Sequence, residues 1–423
     1  MTPLLRRYRK GSPSALPALS RSMTELSPAE RTMLAPIDPA PMLDQVLAWS
    51  AINTGTRNLE GLAQQAALLA TAFAALPGEV RLEEAAPVEA VAPDGRTFAL
   101  AHGQHLVLRV RPQADRRLVL TGHMDTVFAP DHAFQATRWL DAETLNGPGV
   151  ADMKGGIAVM LAALTAFERS TVAPRVGYDV LINADEETGS LSSAPLITRL
   201  AAGKAAALTF EPSALPDGTL AGARACSGNY SVVIHGRSAH AGRNPHDGRN
   251  AIVAAAWLVL RLTELAGPDI TINPAKIEGG SANNVVPDLA IVRFNIRPRG
   301  EPAAAQFTRA LPDAIAQMAH KYDVHAHIHG GISRPPKPMT DAAEHLFELV
   351  RNCGAALGQT IGWQSTGGVC DGNNIAACGV PVVDTMGVRG GAIHSADEFL
   401  IVPSLGERAQ LAALVLHRFS GGE

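Results

Sequence analysis

Histidine and acidic side chains stand at the ends of apolar segments in this sequence, where they could bind a metal ion. The segment "VLTGHMDTVF", residues 119–128, begins with apolar residues and then presents His123 and Asp125 two positions apart. Imidazole nitrogen is a common zinc ligand, and a neighbouring carboxylate can accept the hydrogen of the other ring nitrogen. The segment is therefore either a strand that ends in a metal ligand or a strand followed by an ordinary solvated turn.

Other apolar segments end in the same way. The candidate residues are Asp152 in "NGPGVADMKGG", Asp185, Glu186 and Glu187 in "YDVLINADEE", Glu211 in "TFEP" and His394 in "GAIHSADEF". A single acid at the end of a strand is usually solvated. The repeated placement favours a shared site, because the carboxyl ends of parallel strands meet at one edge of a sheet.

Two imidazoles and several carboxylates suit Zn²⁺, and suit Mn²⁺ or Co²⁺ less well. One metal ion needs about three protein ligands and an open position, whereas five ligands with one bridging carboxylate would hold two ions. Of the adjacent Glu186 and Glu187, one could bind metal while the other stays free beside a metal-bound water. A free carboxylate in that place would act as a general base.

The apolar segments that carry these residues predict an α/β domain with a mixed, mostly parallel sheet. Residues 105–110 and 117–123 have the pattern of adjacent strands, and residues 153–169 have the length and apolar face of a helix. Further strands are expected within 178–187, 205–212 and 380–387. Strands that alternate with helices are typical of α/β domains.

The middle of the chain has a different pattern, which predicts an inserted ferredoxin-like α+β module. Its predicted order is β-α-β-β-α-β, with elements near 229–236, 249–266, 270–278, 288–297, 302–320 and 323–330. We therefore predict three parts: a disordered N-terminal extension (1–39), a catalytic domain (40–222 and 336–423) and an inserted domain (223–335).

Composition excludes some classes of function. Of the 423 residues, 18% are charged and the formal net charge is −4, so no basic face for nucleic-acid binding is expected. No stretch of about 18 apolar residues stands out, so we expect no membrane span. The chain has only 4 cysteines, which favours a reducing, cytoplasmic location.

Seven stretches of the sequence together resemble the co-catalytic dinuclear zinc exopeptidase and deacylase family. That family includes glutamate carboxypeptidases of the carboxypeptidase G type, acetylornithine deacetylases and succinyl-diaminopimelate desuccinylases. The matching stretches are "TGHMDTV", "GPGVADMKGG", "ADEETGS", "TFEPS", "SAHAG", "SANNVVPD" and "GGAIHSADE", between residues 121 and 398.

The resemblance implies a role for each polar residue of the expected site. One zinc ion would be held by His123 and Glu211, and the other by Glu187 and His394. Asp152 would bridge the two ions, and its peptide bond to Met153 would be cis. Glu186 would be the general base. Asp125 would support the ligand His123 by accepting the hydrogen of its other ring nitrogen, as argued above.

The resemblance also implies that the inserted domain acts as a lid and forms a homodimer. His240 would stabilise the oxyanion in the partner's active site, and Asn284 would contact the substrate. Arg297 and Arg334 would bind a substrate carboxylate through the guanidinium fork. The sequence departs from the family at Asn295, where an acid is usual, and at Cys370, where Ser or Thr is commoner.

We therefore predict a hydrolase with two Zn²⁺ per subunit, or Co²⁺ or Mn²⁺, that cleaves an amide next to a free carboxylate. A small amide or short peptide with an acidic C-terminal residue is the favoured substrate. An N-acyl amino acid deacylase of the acetylornithine deacetylase type is the first alternative. A non-catalytic binding protein on the same fold and a thiol enzyme that uses Cys370 are the others.

Overall fold

The structure is a computed structural model that describes residues 25–421. The helices in that part of the chain are α1 (Pro28–Leu34), α2 (Pro39–Ser50), α3 (Leu59–Phe73), α4 (Gly156–Phe167), α5 (Ala194–Ala201), α6 (Ala251–Glu264), α7 (Glu301–Tyr322), α8 (Asp341–Ala356), α9 (Asp371–Ala377) and α10 (Ser404–Phe419). Shorter helical turns cover Val150–Gly155, Ala173–Arg175, Glu186–Thr188 and Pro245–Asp247.

The strands of the same part of the chain fall into five sheets. They are β1 (Glu79–Glu83), β2 (Glu89–Val91), β3 (Thr97–Ala99), β4 (His105–Val110), β5 (Arg117–His123), β6 (Arg138–Trp139), β7 (Thr144–Asn146), β8 (Gly177–Asn183), β9 (Ala206–Thr209), β10 (Leu220–Arg224), β11 (Ser227–His235), β12 (Ile270–Gly279), β13 (Leu289–Pro298), β14 (His325–Arg334), β15 (Trp363–Thr366), β16 (Val382–Val383), β17 (Gly390–Gly391) and β18 (Phe399–Ile401).

The main sheet has the strand order β1-β4-β8-β5-β9-β16. Strands β8, β5, β9 and β16 are parallel, and β1 and β4 extend the sheet in antiparallel pairing. The predicted mixed, mostly parallel sheet is confirmed. The prediction that residues 105–110 and 117–123 form adjacent strands is wrong. The later strand β8, whose seven residues are all buried, lies between β4 and β5 and pairs with both.

Helices cover both faces of the main sheet. Helices α4 and α10 lie on one face with α1, α2 and α3 nearby, whereas α5 and α9 lie on the other. The helical segment Val150–Phe167 is long and apolar enough to span a membrane by length and composition, which the sequence analysis overlooked. Since 89% of it is buried inside the protein, it has the surroundings of a central core helix.

The predicted disorder of residues 1–39 is wrong for the later part of that segment. Helix α1 begins with a capping box in which Ser27 and Glu30 each accept the other's backbone N–H. Met33 and Leu34 are buried in the main core, and Arg418 of α10 donates to Glu30. Burial and capping together stabilise a short helix that propensity alone would not. Residues 1–24 lie outside the described part of the chain.

A second, antiparallel sheet has the order β12-β13-β11-β14. Helices α6 and α7 complete the predicted β-α-β-β-α-β order. This module has its own cluster of buried apolar residues, which runs from Tyr230 to Val324. Its edge strand β14 ends at Arg334, from which the chain returns to the main sheet.

Candidate metal centre

The carboxyl ends of the parallel strands bring the predicted residues together. His123 is the last residue of β5, Glu186 and Glu187 form the turn after β8, and Glu211 follows β9. Asp152 lies in the kinked segment Val150–Gly155 before α4, where its own φ of −115° and ψ of 89° are not helical. His394, with φ of +63°, lies in the loop between β17 and β18, and its Nε2 lies near Asp152 and Glu187.

Asp152 stands between the two histidines. Its Oδ1 lies 3.1 Å from His123 Nε2, and its Oδ2 lies 3.3 Å from His394 Nε2. On the outer sides, Glu211 Oε2 is 3.6 Å from His123 Nε2 and Glu187 Oε2 is 3.1 Å from His394 Nε2. Each half of the site therefore combines one imidazole and one carboxylate, and the two halves share Asp152.

The donor set fits divalent cations. Ligand atoms of His123, Glu186 and Glu211 lie within 4.8 Å of one another, as do those of His123, Asp152 and Glu187. Glu211 Oε1 is buried and has no hydrogen-bond partner among the described residues. Because a buried carboxylate oxygen is costly without a partner, an ion at this place would satisfy it.

Burial dominates the electrostatics of three of the acids. Burial raises the pKa of Glu211 and of Glu186, and raises that of Glu187 to about 7. Asp152 is the exception: burial opposes its ionisation, but hydrogen bonds from His123 and His394 lower its pKa. Hydrogen bonds to Asp152 and Glu187 raise the pKa of His394 to about 11. Metal ions would replace these protons as the positive charge of the site.

Asp125 is fully buried next to His123, and it has more hydrogen-bond partners than the single one predicted. The second ring nitrogen of His123, Nδ1, lies 3.0 Å from the Asp125 carbonyl oxygen and 3.5 Å from its carboxylate. The carboxylate instead accepts the backbone N–H groups of Glu186 and Glu187 and the hydroxyl of Thr56. It therefore holds the turn that carries both glutamates.

Glu398 was missed as a functional residue, although it lies in the stretch "GGAIHSADE". Its buried carboxylate accepts the backbone N–H groups of Gly149, Ala151 and Asp152. The peptide bond between Asp152 and Met153 is cis, as the resemblance implied. Glu398 thus fixes the backbone that presents Asp152.

A pocket of about 730 Å³ opens beside the acids. Its lining residues include Glu186, Glu211 and His394 and three arginines, Arg224, Arg297 and Arg334. Arg297 is exposed, and its Nε donates to Asn295 Oδ1 at 3.0 Å. Arg297 therefore lies in the pocket, and its predicted binding of a substrate carboxylate stays a prediction.

Arg334 differs from the prediction. It is only 1% exposed, and both terminal nitrogens already donate to carboxylates of the protein. Nη2 lies 2.6 Å from Glu186 Oε1, and Nη1 lies 2.6 Å from Asp371 Oδ1. Its guanidinium does not present the free fork that binding of a substrate carboxylate would need.

His240 and Asn284 lie outside the pocket of their own chain. Both are exposed residues of the inserted module, and the Asn284 carbonyl accepts the N–H of Ala241 next to His240. His240 and Asn284 are therefore neighbours on one surface. Their predicted contact with substrate stays a prediction.

Arg224 is a pocket residue that sequence reasoning missed. Its Nε and Nη2 donate to the buried Asp384, and Lys337 Nζ lies 2.9 Å from the same carboxylate. Two cations therefore share one anion, which leaves an excess of positive charge beside the pocket. Cys370 lies behind this group, with Sγ 3.6 Å from Asp384 Oδ2. Arg224, Lys337 and Asp384 lie far apart in the sequence, and no local motif connects them.

Residues 119–418 match the sequence family described as Peptidase family M20/M25/M40. The chain is 28% identical over 380 residues to carboxypeptidase G2 of Pseudomonas sp. (strain RS-16), with 88% of each protein covered. It is 29% identical over 304 residues to a succinyl-diaminopimelate desuccinylase of Halorhodospira halophila, with 67% of this chain and 78% of that protein covered. A solved tripeptidase structure from Staphylococcus aureus has a similar fold, with a TM-score of 0.70, 23% identity and coverage of 91% of this chain and 99% of that chain.

Proposed function

Since the chain belongs to peptidase family M20/M25/M40 and is therefore a hydrolytic enzyme that acts on amide bonds, we propose that it uses two zinc ions to cleave an amide next to a free carboxylate. The observation that carries this proposal is the position of Asp152, with one oxygen toward His123 and the other toward His394. His123 and Glu211 would hold one ion, Glu187 and His394 would hold the other, and Asp152 would be a ligand shared by both.

Zinc bound at this site would supply a Lewis acid that polarises the substrate carbonyl and activates water. Glu186 would accept the proton of the attacking water and transfer it to the leaving amine. His240 of the partner subunit would donate a hydrogen bond to the oxyanion. Closure of the inserted module over the pocket would exclude bulk water.

Two arginines that line the pocket support an acidic substrate. Arg297 is exposed there, and Arg224 contributes to the positive excess around Asp384. Arginine suits carboxylate recognition because its planar fork donates two parallel hydrogen bonds. We propose that Arg297 binds the carboxylate next to the cleaved amide, and that Arg224 favours a second carboxylate on the leaving amino acid, as in glutamate or aspartate.

An N-acyl amino acid deacylase is the second candidate, because the chain also resembles succinyl-diaminopimelate desuccinylase. The two candidates share the metal site and differ in which side of the amide is recognised. A non-catalytic binding protein is disfavoured, since the proposed ligands and Glu186 are all present and close together. A thiol enzyme is also disfavoured, because Cys370 is buried and burial raises the pKa of its thiol.

The test uses untagged protein treated with a chelator and then reconstituted with Zn²⁺. Hydrolysis is measured on N-acyl derivatives of glutamate, glutamine and alanine, and on N-succinyl and N-acetyl derivatives of one amino acid. The proposal predicts zinc-dependent cleavage with preference for the glutamate derivative. Preference for one acyl group, whatever the amino acid, would support the deacylase, and the absence of cleavage would contradict both.

A further inference from the structure

We infer that Arg334 is a positioning residue for Glu186 and that it does not bind substrate. This inference rests on the proposed function, in which Glu186 is the general base. Arg334 is the last residue of β14, the edge strand of the inserted sheet, yet its guanidinium reaches the carboxyl end of β8 in the main sheet. Nη2 donates to Glu186 Oε1 at 2.6 Å and to the Glu186 carbonyl at 3.1 Å.

The opposite side of the guanidinium is anchored in the interior. Nη1 donates to Asp371 Oδ1 at 2.6 Å and to Asn374 Oδ1 at 2.8 Å. Asp371 is itself held by the Nδ2 of Asn183 at 2.6 Å and by the hydroxyl of Ser190 at 2.6 Å. A rigid planar cation fixed at one end constrains the carboxylate at its other end.

Helix α9 fixes the chain on both sides of Arg334. Asn374 Nδ2 donates to the Ser333 carbonyl at 2.9 Å, and Asn373 Nδ2 donates to the Pro335 carbonyl at 2.6 Å. These amides come from the stretch "VCDGNN", residues 369–374. In the structure they tie the end of the inserted sheet to the main domain. The position of that sheet and the orientation of Glu186 are therefore coupled through Arg334.

The roles inferred for Arg334 and Arg297 predict different kinetic effects when each residue is replaced, although both line the same pocket. Arg297 is exposed, whereas Arg334 is 1% exposed with its donors in use. Loss of a positioning residue should lower kcat with little change in KM. Loss of a residue that binds substrate in its ground state should raise KM.

The experiment compares Arg334→Met with Arg297→Met, and uses Arg309→Met on the exposed face of α7 as a control. Four quantities are measured: kcat, KM, zinc per chain and the calorimetric affinity for the product amino acid. We expect Arg334→Met to lower kcat about 100-fold, because small misplacement of a catalytic group has that effect. Its KM, product affinity and zinc content should stay near those of wild type.

A rise in KM and a loss of product affinity in Arg334→Met, with kcat unchanged, would overturn the inference and restore the substrate role. If Arg334→Met does not fold, Asp371→Asn tests the same anchor with nearly equal shape. It should lower kcat without raising KM, and an unchanged kcat would contradict the inference. Failure of the wild-type protein to cleave any amide would count against the proposed function instead.

Discussion

At the scale of single residues, Asp125 supports the base and a metal ligand from one buried position. Its carboxylate receives the N–H groups of Glu186 and Glu187, so both glutamates depend on the same anchor. Its carbonyl oxygen lies 3.0 Å from the Nδ1 of His123 and fixes the ring orientation. Outer partners of this kind tune metal affinity and activity although they do not contact the substrate.

Asp125→Ala should therefore weaken zinc binding and activity about 10- to 100-fold, the range known for such partners. Zinc affinity is measured by competition with a chromogenic chelator, and kcat is measured at saturating zinc. Asp131→Ala removes an exposed acid a few residues later and serves as the control. Equal behaviour of the two variants would show that Asp125 has no supporting role.

Zinc uptake should release protons. Hydrogen bonds to Asp152 and Glu187 raise the pKa of His394 to about 11, so the metal-free ring is protonated at neutral pH. A zinc ion binds only the neutral ring, so zinc affinity should rise as pH rises toward that pKa and fall as pH falls. Calorimetry in buffers of different ionisation enthalpy measures the protons released. No release near pH 7 would contradict this account of the site.

The sequence was sufficient to predict which acids and histidines meet, because each lies in a recognisable stretch and most of them end or follow an apolar strand. It was not sufficient for Arg334, Arg224 or Asp384. The roles of these residues depend on partners from other elements, such as Asp371 on α9 for Arg334. Local pattern carries no information on such distant pairs of charges.

At the scale of elements, the start of α4 packs closely against the chain at the end of β9. A Cβ on Gly156, the first residue of α4, would lie 1.9 Å from the Phe210 carbonyl oxygen. Only glycine allows this distance, which places the turn carrying Asp152 beside Glu211. The strand order was harder to predict, because β8 enters between β4 and β5 from a later part of the chain.

Gly156→Ala should destabilise the protein by about 1–3 kcal/mol, the usual cost of overpacking. The free energy of unfolding is measured from urea transitions of the metal-free protein. Gly362→Ala is the matched control, because nothing lies within 4 Å of a Cβ there. A loss of stability no larger than that of the control would show that α4 can move away from β9.

At the scale of the whole molecule, the active site of one chain is incomplete in the proposed mechanism. His240 lies on the inserted module, outside the pocket of its own chain, so its proposed role requires a homodimer. The cytoplasmic location and the predicted domain boundaries stay predictions.

A mixture of two inactive variants tests the shared site. His240→Ala and Glu186→Gln should each be inactive alone. In a mixed dimer, one site carries both changes and the other carries neither, so an equal mixture should recover about a quarter of wild-type activity if subunits exchange freely. Light scattering checks the dimer. No recovery despite exchange would contradict the role of His240 in the partner's site.

The central claim is that the two-metal centre uses Glu186 as its base, and Glu186→Gln tests it most directly. Zinc per chain and kcat on the best amide substrate are measured for wild type and variant. We predict about two zinc ions in both proteins, and a kcat in the variant that is about 100- to 10,000-fold lower. Full zinc content together with wild-type kcat in Glu186→Gln would contradict the claim.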